Sequence, residues 1–455
     1  MSLHSYGNIP RRFGGQRAFR LARIVMLQLA CAFPMRAQSP APPPLAPPDT
    51  LALTLPAARQ LALRQNPWFL AARRETAIAR GDRRQARLYR FNPDLSIFSP
   101  GTPRRGTASP LEFAVTQEIE WAGQRGLRID AADAGVARAT STVRNAERQT
   151  LAQVSLVYYR ALAAIRRLDV AQQWATLAER LVGAVRTQLK EGEISTLESN
   201  LAEIEAGRAR GRILTAQREA TSARLELTLA IGVAPDAAIR LAEDQPIGAV
   251  PEDVSADSLV QLALRRRPDV AARRAGVREF SSLTSLARRE GIPNLRLGGV
   301  RERDVGGPRF GFTAGISLPL LNRNQGLVAR REAELEQATL LVRASELDAR
   351  TDVTDAVRTY RIATEEASVF ELSVLGPARR NSDLLETAYR AGKISLPSLL
   401  LLRNQLLDAE LGYWAAWLAK REAIVRLEAA TGSISSSPSD DANTSSTASA
   451  AARTK

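Results

Sequence analysis

Leu151, Val154, Tyr158, Ala161, Ile165 and Leu168 follow one another at alternating spacings of three and four residues. Leu399, Leu402, Leu406, Ala409, Tyr413 and Ala416 do the same. Residues so spaced share one helix face, and a sustained stripe marks helices packed as coiled coils. No proline interrupts the stretch between residues 111 and 234, which is rich in Ala, Leu, Arg, Glu and Gln, all good helix formers. The pattern predicts a helix over about residues 128–189, roughly 90 Å long at 1.5 Å per residue. The core of an ordinary bundle would give the same stripe but needs far shorter helices. A Gly376-Pro377 pair predicts a kink in the later helix.

The period changes to two in two places. Leu111, Phe113, Val115, Ile119 and Trp121 alternate with Glu112, Ala114, Thr116, Glu118 and Glu120. Phe310, Phe312, Ala314, Ile316 and Leu318 alternate with Gly311, Thr313, Gly315 and Ser317. Each predicts a strand of about ten residues, enough to cross a bilayer when tilted. Each follows a partner candidate, residues 95–99 and 295–303, across a connection rich in Gly and Pro. Arg296 and Arg301 make the third strand the least apolar of the four.

These elements occur twice, about two hundred residues apart. Gln60-Leu61-Ala62-Leu63-Arg64 with Pro67 returns as Gln261-Leu262-Ala263-Leu264-Arg265 with Pro268. Phe113, Thr116 and Ile119 return as Phe310, Thr313 and Ile316, and Gly192-Glu193-Ile194-Ser195 as Gly392-Lys393-Ile394-Ser395. The order is kept, so the chain is a tandem duplication of a unit far longer than a solenoid repeat. The division expected is a signal peptide at 1–37, a Pro-rich linker at 38–52, repeats at 53–250 and 251–432, and a disordered tail at 433–455 rich in Ser, Thr, Ala and Asp.

Composition sharpens this picture at the start of the chain. Met1, Met26, Met35, Cys31 and His4 all lie in the first 37 positions. Arg11, Arg12, Arg17, Arg20 and Arg23 precede an apolar stretch at 24–33 and then Ala37-Gln38, the order of a secretory signal peptide. Met35 is bulky for a position near the cleavage site that prefers a small residue, and a disordered basic leader is the plainer alternative. Leu29-Ala30-Cys31 leaves open a lipid attached at Cys31, although Gln28 stands where leucine is usual. Once the leader is removed, no Cys, His or Met remains. Disulfides, thiol or histidine nucleophiles, and zinc sites built on Cys or His are then excluded. No cofactor site is expected. The formal charge of +15 falls to about +9 without the arginines at 11, 12, 17, 20, 23 and 36. Elsewhere charges of both signs intermix, as at Arg330, Arg331, Glu332, Glu334 and Glu336, which suits a solvated helix face better than a nucleic-acid patch.

No apolar run reaches the length of a membrane helix, so any crossing must be made by strands. Four strands in an open sheet leave unpaired backbone at both edges, which lipid does not tolerate. Several chains must therefore close one barrel. Two would give eight strands with a filled interior, and three would give twelve with room for a passage. Glu112, Glu118 and Glu120 would then line an aqueous lumen.

Two tandem units of helix, two strands, long helix and returning helix resemble the outer-membrane efflux protein family, the TolC-like exit ducts. The resemblance covers about residues 53–432. Its most specific segments are Trp121-Ala122-Gly123-Gln124-Arg125-Gly126-Leu127-Arg128, Leu318-Pro319-Leu320-Leu321-Asn322-Arg323-Asn324-Gln325-Gly326, and the tips at Gly192 and Gly392. The second segment is similar to the cobalt-zinc-cadmium resistance branch. The resemblance implies a mainly α fold with a small β part: a homotrimer whose twelve-stranded outer-membrane barrel continues into a helical periplasmic tunnel. It implies a periplasmic adaptor, an inner-membrane pump and outer-membrane lipid as partners, and a passive duct rather than an enzyme. It places adaptor docking at Gly192, Ile194, Gly392 and Ile394, which on the residues alone are simply helix turns. It places a gate six or nine positions after each glycine, at Glu198, Ser398 and Leu401. An acid stands at that place only in the first repeat, and Leu399 to Leu402 suggest an apolar constriction or ordinary coiled-coil packing.

The rival from another class is a periplasmic coiled-coil scaffold or adaptor without a pore. It leaves the two strand pairs unexplained. A nucleic-acid-binding coiled coil is opposed by the leader and the scattered charge. For an enzyme, no nucleophile–base pair or phosphate loop is visible.

Overall fold

One helix dominates the molecule. In the computed structural model, which describes residues 51–99, 111–242, 255–304 and 307–434, it runs from Gln124 to Lys190, 67 residues and about 100 Å. The chain order is β1 (Leu51–Leu53), α1 (Leu55–Gln65), α2 (Pro67–Arg87), β2 (Asp94–Phe98), β3 (Leu111–Ile119), α3 (Gln124–Lys190) and α4 (Thr196–Ile231). The second repeat follows as β4 (Ile239–Leu241), α5 (Ala256–Arg266), α6 (Pro268–Glu290), β5 (Leu295–Asp304), β6 (Gly307–Ile316), α7 (Gln325–Val369), a π-helix (Phe370–Leu375), α8 (Gly376–Arg390) and α9 (Leu396–Thr431). The returning helices α4 and α9 are 36 residues each.

The signal peptide, Cys31, most of the linker and most of the tail lie outside the described residues. Two boundaries shift. Leu51 and Ala52 belong to β1, which pairs in parallel with β4, and not to the linker. Ile434, placed in the tail, packs against the main core.

The repeats differ where the kink was expected. α3 is unbroken, whereas its counterpart passes through six residues of π-helix before Pro377. Proline has no N–H, and its ring excludes the carbonyl four residues back. A wider turn accommodates that loss without ending the helix. Phe370, at the start of this turn, lies against Gly412 of α9.

Two cores hold the repeats together. Leu55, Ala58 and Ala62 of α1 pack with Val154, Tyr158, Tyr159 and Leu162 of α3, Leu227 and Ile231 of α4, and Val425 of α9. The Tyr158 hydroxyl is fully buried and donates to the Ala242 carbonyl at 2.6 Å, at the end of the β1–β4 pair. The second core joins Val260 and Ala263 of α5 to Val353, Ala356 and Val357 of α7 and to Leu427 and Ala430 of α9. Asn66, between α1 and α2, caps α2 at Phe69 and donates to the Ala230 carbonyl at 2.8 Å. Its counterpart Arg267 is buried and ion-paired to Asp269 and Asp352 at 2.6 and 2.7 Å. Arg148 of α3 reaches the same cluster, 3.5 Å from Asp269.

The strands form one antiparallel sheet in the order β2-β3-β5-β6. β3 pairs with β5 over nine residues, so the two repeats meet inside the sheet. β3 and β6 each stop two residues earlier than the alternation predicts, at Ile119 and Ile316.

Candidate functional site

At one end of the molecule the two helix hairpins come together. α3 ends because Gly192 takes a left-handed conformation, φ 79°. This lets Glu193 donate to the Gln188 carbonyl at 2.9 Å and Gly192 to the Leu189 carbonyl at 3.1 Å. In the second repeat Lys393 donates to the Ala388 carbonyl and Gly392 to the Tyr389 carbonyl, both at 2.9 Å. Ile194 and Ile394 then pack on one apolar cluster formed by Leu181, Val185, Ala202, Leu396 and Leu399. The Tyr389 hydroxyl joins the hairpins by donating to Gln188 Oε1 at 3.2 Å. Burial first, and the Glu198 carboxylate second, hold that phenol above its ordinary pKa. Sequence reasoning missed Tyr389, since a tyrosine near a turn carries no signal of its partner.

The three candidate gate residues sit at this end in different settings. Glu198 is tied into a capping box: its carboxylate accepts from Ser195 N at 3.0 Å, and Ser195 Oγ caps α4. Ser398 occupies the same place in the second repeat, 3.0 Å from Ser395 Oγ. The leucine run divides: Leu399 is fully buried in the apolar cluster, whereas Leu401 is 62 % exposed.

At the other end stands the sheet, and its register sorts residues onto two faces. Phe113 pairs with Ile97 and Arg301, and Arg301 with Phe310; Val115 pairs with Leu95 and Gly299, and Gly299 with Phe312. This face is apolar, and Phe312 on it is 97 % exposed. Arg301, near the β5–β6 turn, lays its guanidinium 5.6 Å from the centre of the Phe310 ring. The other face is mostly polar or small, with Phe98 opposite Glu112 as its large apolar residue. Glu112 pairs with Glu302, and Glu302 with Arg309; Thr116 pairs with Gly298, and Gly298 with Thr313; Glu118 pairs with Arg296, and Arg296 with Gly315. Glu112 and Glu118 therefore share one face, which Asp94 and Glu302 extend. The two arginines that weakened the third strand fall on opposite faces.

Glu120 departs from the expected lumen position. It lies one residue past β3, and its side chain is only 3 % exposed. Arg128 of α3 grips both carboxylate oxygens at 2.8 and 2.9 Å. That hydrogen bonding, opposed by burial and reinforced by the charges of Arg128, Arg90 and Arg125, holds the Glu120 carboxyl below the usual range. The alternation that suggested a lumen residue had already ended. Around Glu120 the four strand-to-helix junctions interlock. Trp121 Nε1 donates to the Pro293 carbonyl at 2.9 Å, Asn294 Nδ2 to Glu118 at 2.7 Å and Asn324 Nδ2 to the Ala287 carbonyl at 2.8 Å. Among the described residues, no cluster of His, Cys, Asp and Glu could hold a metal ion. No helix of the described residues is long and apolar enough to cross a membrane.

The family model for outer membrane efflux proteins matches residues 58–233 and 259–433, one match per repeat. The chain belongs to the outer membrane efflux protein family. It is 28 % identical to the cobalt-zinc-cadmium resistance protein CzcC of Cupriavidus metallidurans, over 79 % of this chain and 85 % of that one. It is 25 % identical to the pyoverdine export outer membrane protein OpmQ of Pseudomonas putida, over 77 % and 76 %. The fold is also that of solved channels. The Vibrio cholerae outer membrane protein VceC superposes with a TM-score of 0.70 at 17 % identity, over 83 % of this chain and 96 % of that one. The Campylobacter jejuni CmeC outer membrane channel gives 0.72 at 16 %, over 86 % and 88 %.

Proposed function

We propose that this chain is the outer-membrane exit duct of a tripartite efflux system. Three copies close a twelve-stranded barrel, and their long helices form a tunnel toward an adaptor and an inner-membrane pump. The observation that carries this reading is the sheet: one apolar face, one polar face, and unpaired edges at β2 and β6. Such a sheet is unstable alone in lipid and becomes stable when copies pair edge to edge. Strands β5 and β6 have ten residues each. At roughly 3.4 Å per residue and a tilt of about 45°, they cover about 24 Å of membrane. A pore-free scaffold has no use for this sheet.

Conduction is passive in this reading, and divalent metal cations are the favoured cargo. Names of relatives include cobalt-zinc-cadmium and nickel-cobalt-cadmium resistance as well as pyoverdine export. The polar sheet face offers Asp94, Glu112, Glu118 and Glu302 against Arg296 and Arg309. Carboxylates attract such divalent cations with little selectivity, which suits passage rather than retention. Docking at Gly192, Ile194, Gly392 and Ile394, and gating near Glu198, Ser398 and Leu401, complete the proposal.

Paired substitutions on neighbouring residues of β6 test it. Phe312→Lys puts a charge on the lipid face, at a cost of about 2–4 kcal/mol near the midplane. It should deplete the protein from the outer-membrane fraction. Thr313→Lys, on the lumen face, should not. Equal tolerance of both would refute the barrel.

A further inference from the structure

The foot of the sheet carries arginines that no carboxylate of the described residues pairs with directly. Each carboxylate in the interlocked junctions has a partner. Glu120 takes Arg128, Glu290 takes Arg90 at 2.8 Å, and Glu118 accepts from Asn294 with Arg296 4.0 Å away. Arg87, Arg125, Arg289 and Arg323 have no carboxylate within ion-pair distance among the described residues, and all four are exposed. Arg125 Nη2 donates to the Arg87 carbonyl at 2.7 Å and Arg323 Nε to the Pro319 carbonyl at 3.3 Å, which fixes both side chains at the junction. Asp94, at the foot of β2, lies on the polar face of the sheet.

The helix dipole explains two of these arginines and not the others. Arg87 and Arg289 stand in the last turns of α2 and α6, where a cation is favoured. Arg125 stands in the first turn of α3, and Arg323 directly precedes Asn324, the N-cap of α7. A cation at that end of a helix is disfavoured. Apolar side chains share the same level. Trp121, Leu318, Leu320 and Leu321 are all exposed, Leu321 at 93 %. A free phosphate ion would satisfy the guanidiniums and leave the leucines and the indole in water. A phospholipid satisfies both, its phosphate on the arginines and its acyl chains against the apolar side chains.

We propose that Arg125 and Arg323, with Arg87 and Arg289, form a collar that binds the phosphate headgroups of anionic phospholipid in the leaflet nearest the helices. The collar rests on the barrel reading above. It fixes the depth of the barrel in the membrane, because the arginines mark the level of the headgroups.

The test uses the full-length chain offered to vesicles of pure phosphatidylcholine and to vesicles containing phosphatidylglycerol, with insertion read by flotation. The native protein should prefer the anionic vesicles, and the preference should fade in high salt. Each arginine near an anionic surface contributes roughly fivefold, so Arg125→Gln with Arg323→Gln should reduce the preference roughly 25-fold per chain. The corresponding double lysine variant keeps the charge and should retain most of the preference. It also separates lost charge from lost folding. Insertion into both vesicle types without a headgroup preference, or a preference unchanged in the glutamine variant, overturns the collar and leaves the barrel standing. No insertion into either type overturns the barrel and the collar with it.

Discussion

Gly232 closes α4 directly against the backbone of Asn66. A Cβ at Gly232 would lie 2.7 Å from Asn66 Cα and 2.7 Å from the Gln65 carbonyl oxygen. Neither atom can move away as a flexible side chain could, because Asn66 is fixed by its own bonds to Phe69 and Ala230. Gly192 has the same φ of 79° and open space around it. Gly192→Ala should therefore cost only the backbone term, about 1–2 kcal/mol. Gly232→Ala adds overpacking, for a total of about 2–4 kcal/mol. Thermal unfolding in detergent checks the order; equal losses would remove the packing argument.

The cluster of Arg148, Asp269 and Asp352 around the buried Arg267 predicts an acid-sensitive contact. Burial pushes the Asp269 carboxyl up, but the Arg267 hydrogen bonds and the charges of Arg267 and Arg148 outweigh it and hold the pKa below the ordinary value. A carboxylate depressed in this way stabilises the fold above its unfolded pKa of about 3.9 and loses that contribution as pH falls through the folded value. Asp269→Asn should cost about 2–3 kcal/mol at pH 7, since it leaves the buried Arg267 with Asp352 as its one remaining carboxylate. The gap between native and variant should narrow below about pH 4. A gap constant with pH would mean that the cluster contributes by packing alone.

The divided leucine run predicts unequal effects at the tip. Leu399→Ser disturbs the cluster around Val185 and should lower stability by about 2 kcal/mol or more. Leu401→Ser leaves that cluster intact and should make the isolated channel leakier in planar bilayers, by removing an apolar constriction. Unchanged conductance would take Leu401 out of the gate.

Much of the fold was legible because its signals are periodic. The heptad stripe located α3 and α9, the alternation located β3 and β6, and the candidates before them, across connections rich in Gly and Pro, fell on β2 and β5. What escaped was set by partners distant in sequence. Glu120 continues the alternation of β3, yet Arg128 pulls it out of the sheet pattern. Glu198 carries an acid at the expected spacing, yet its nearest partner is the cap of its own helix. Arg301 weakened its strand on paper because the ring of Phe310, on the next strand, cannot be foreseen from β5 alone. Pro377 did mark a perturbed helix, but the sequence could not distinguish a kink from a π-helical turn.

The central claim is that three chains are needed to close the sheet. The most direct measurement is the mass of the mature protein extracted from the outer-membrane fraction in mild detergent. The account predicts a trimer that stays intact without disulfides. A soluble monomer or dimer in the periplasmic fraction would contradict it and return the chain to the scaffold reading.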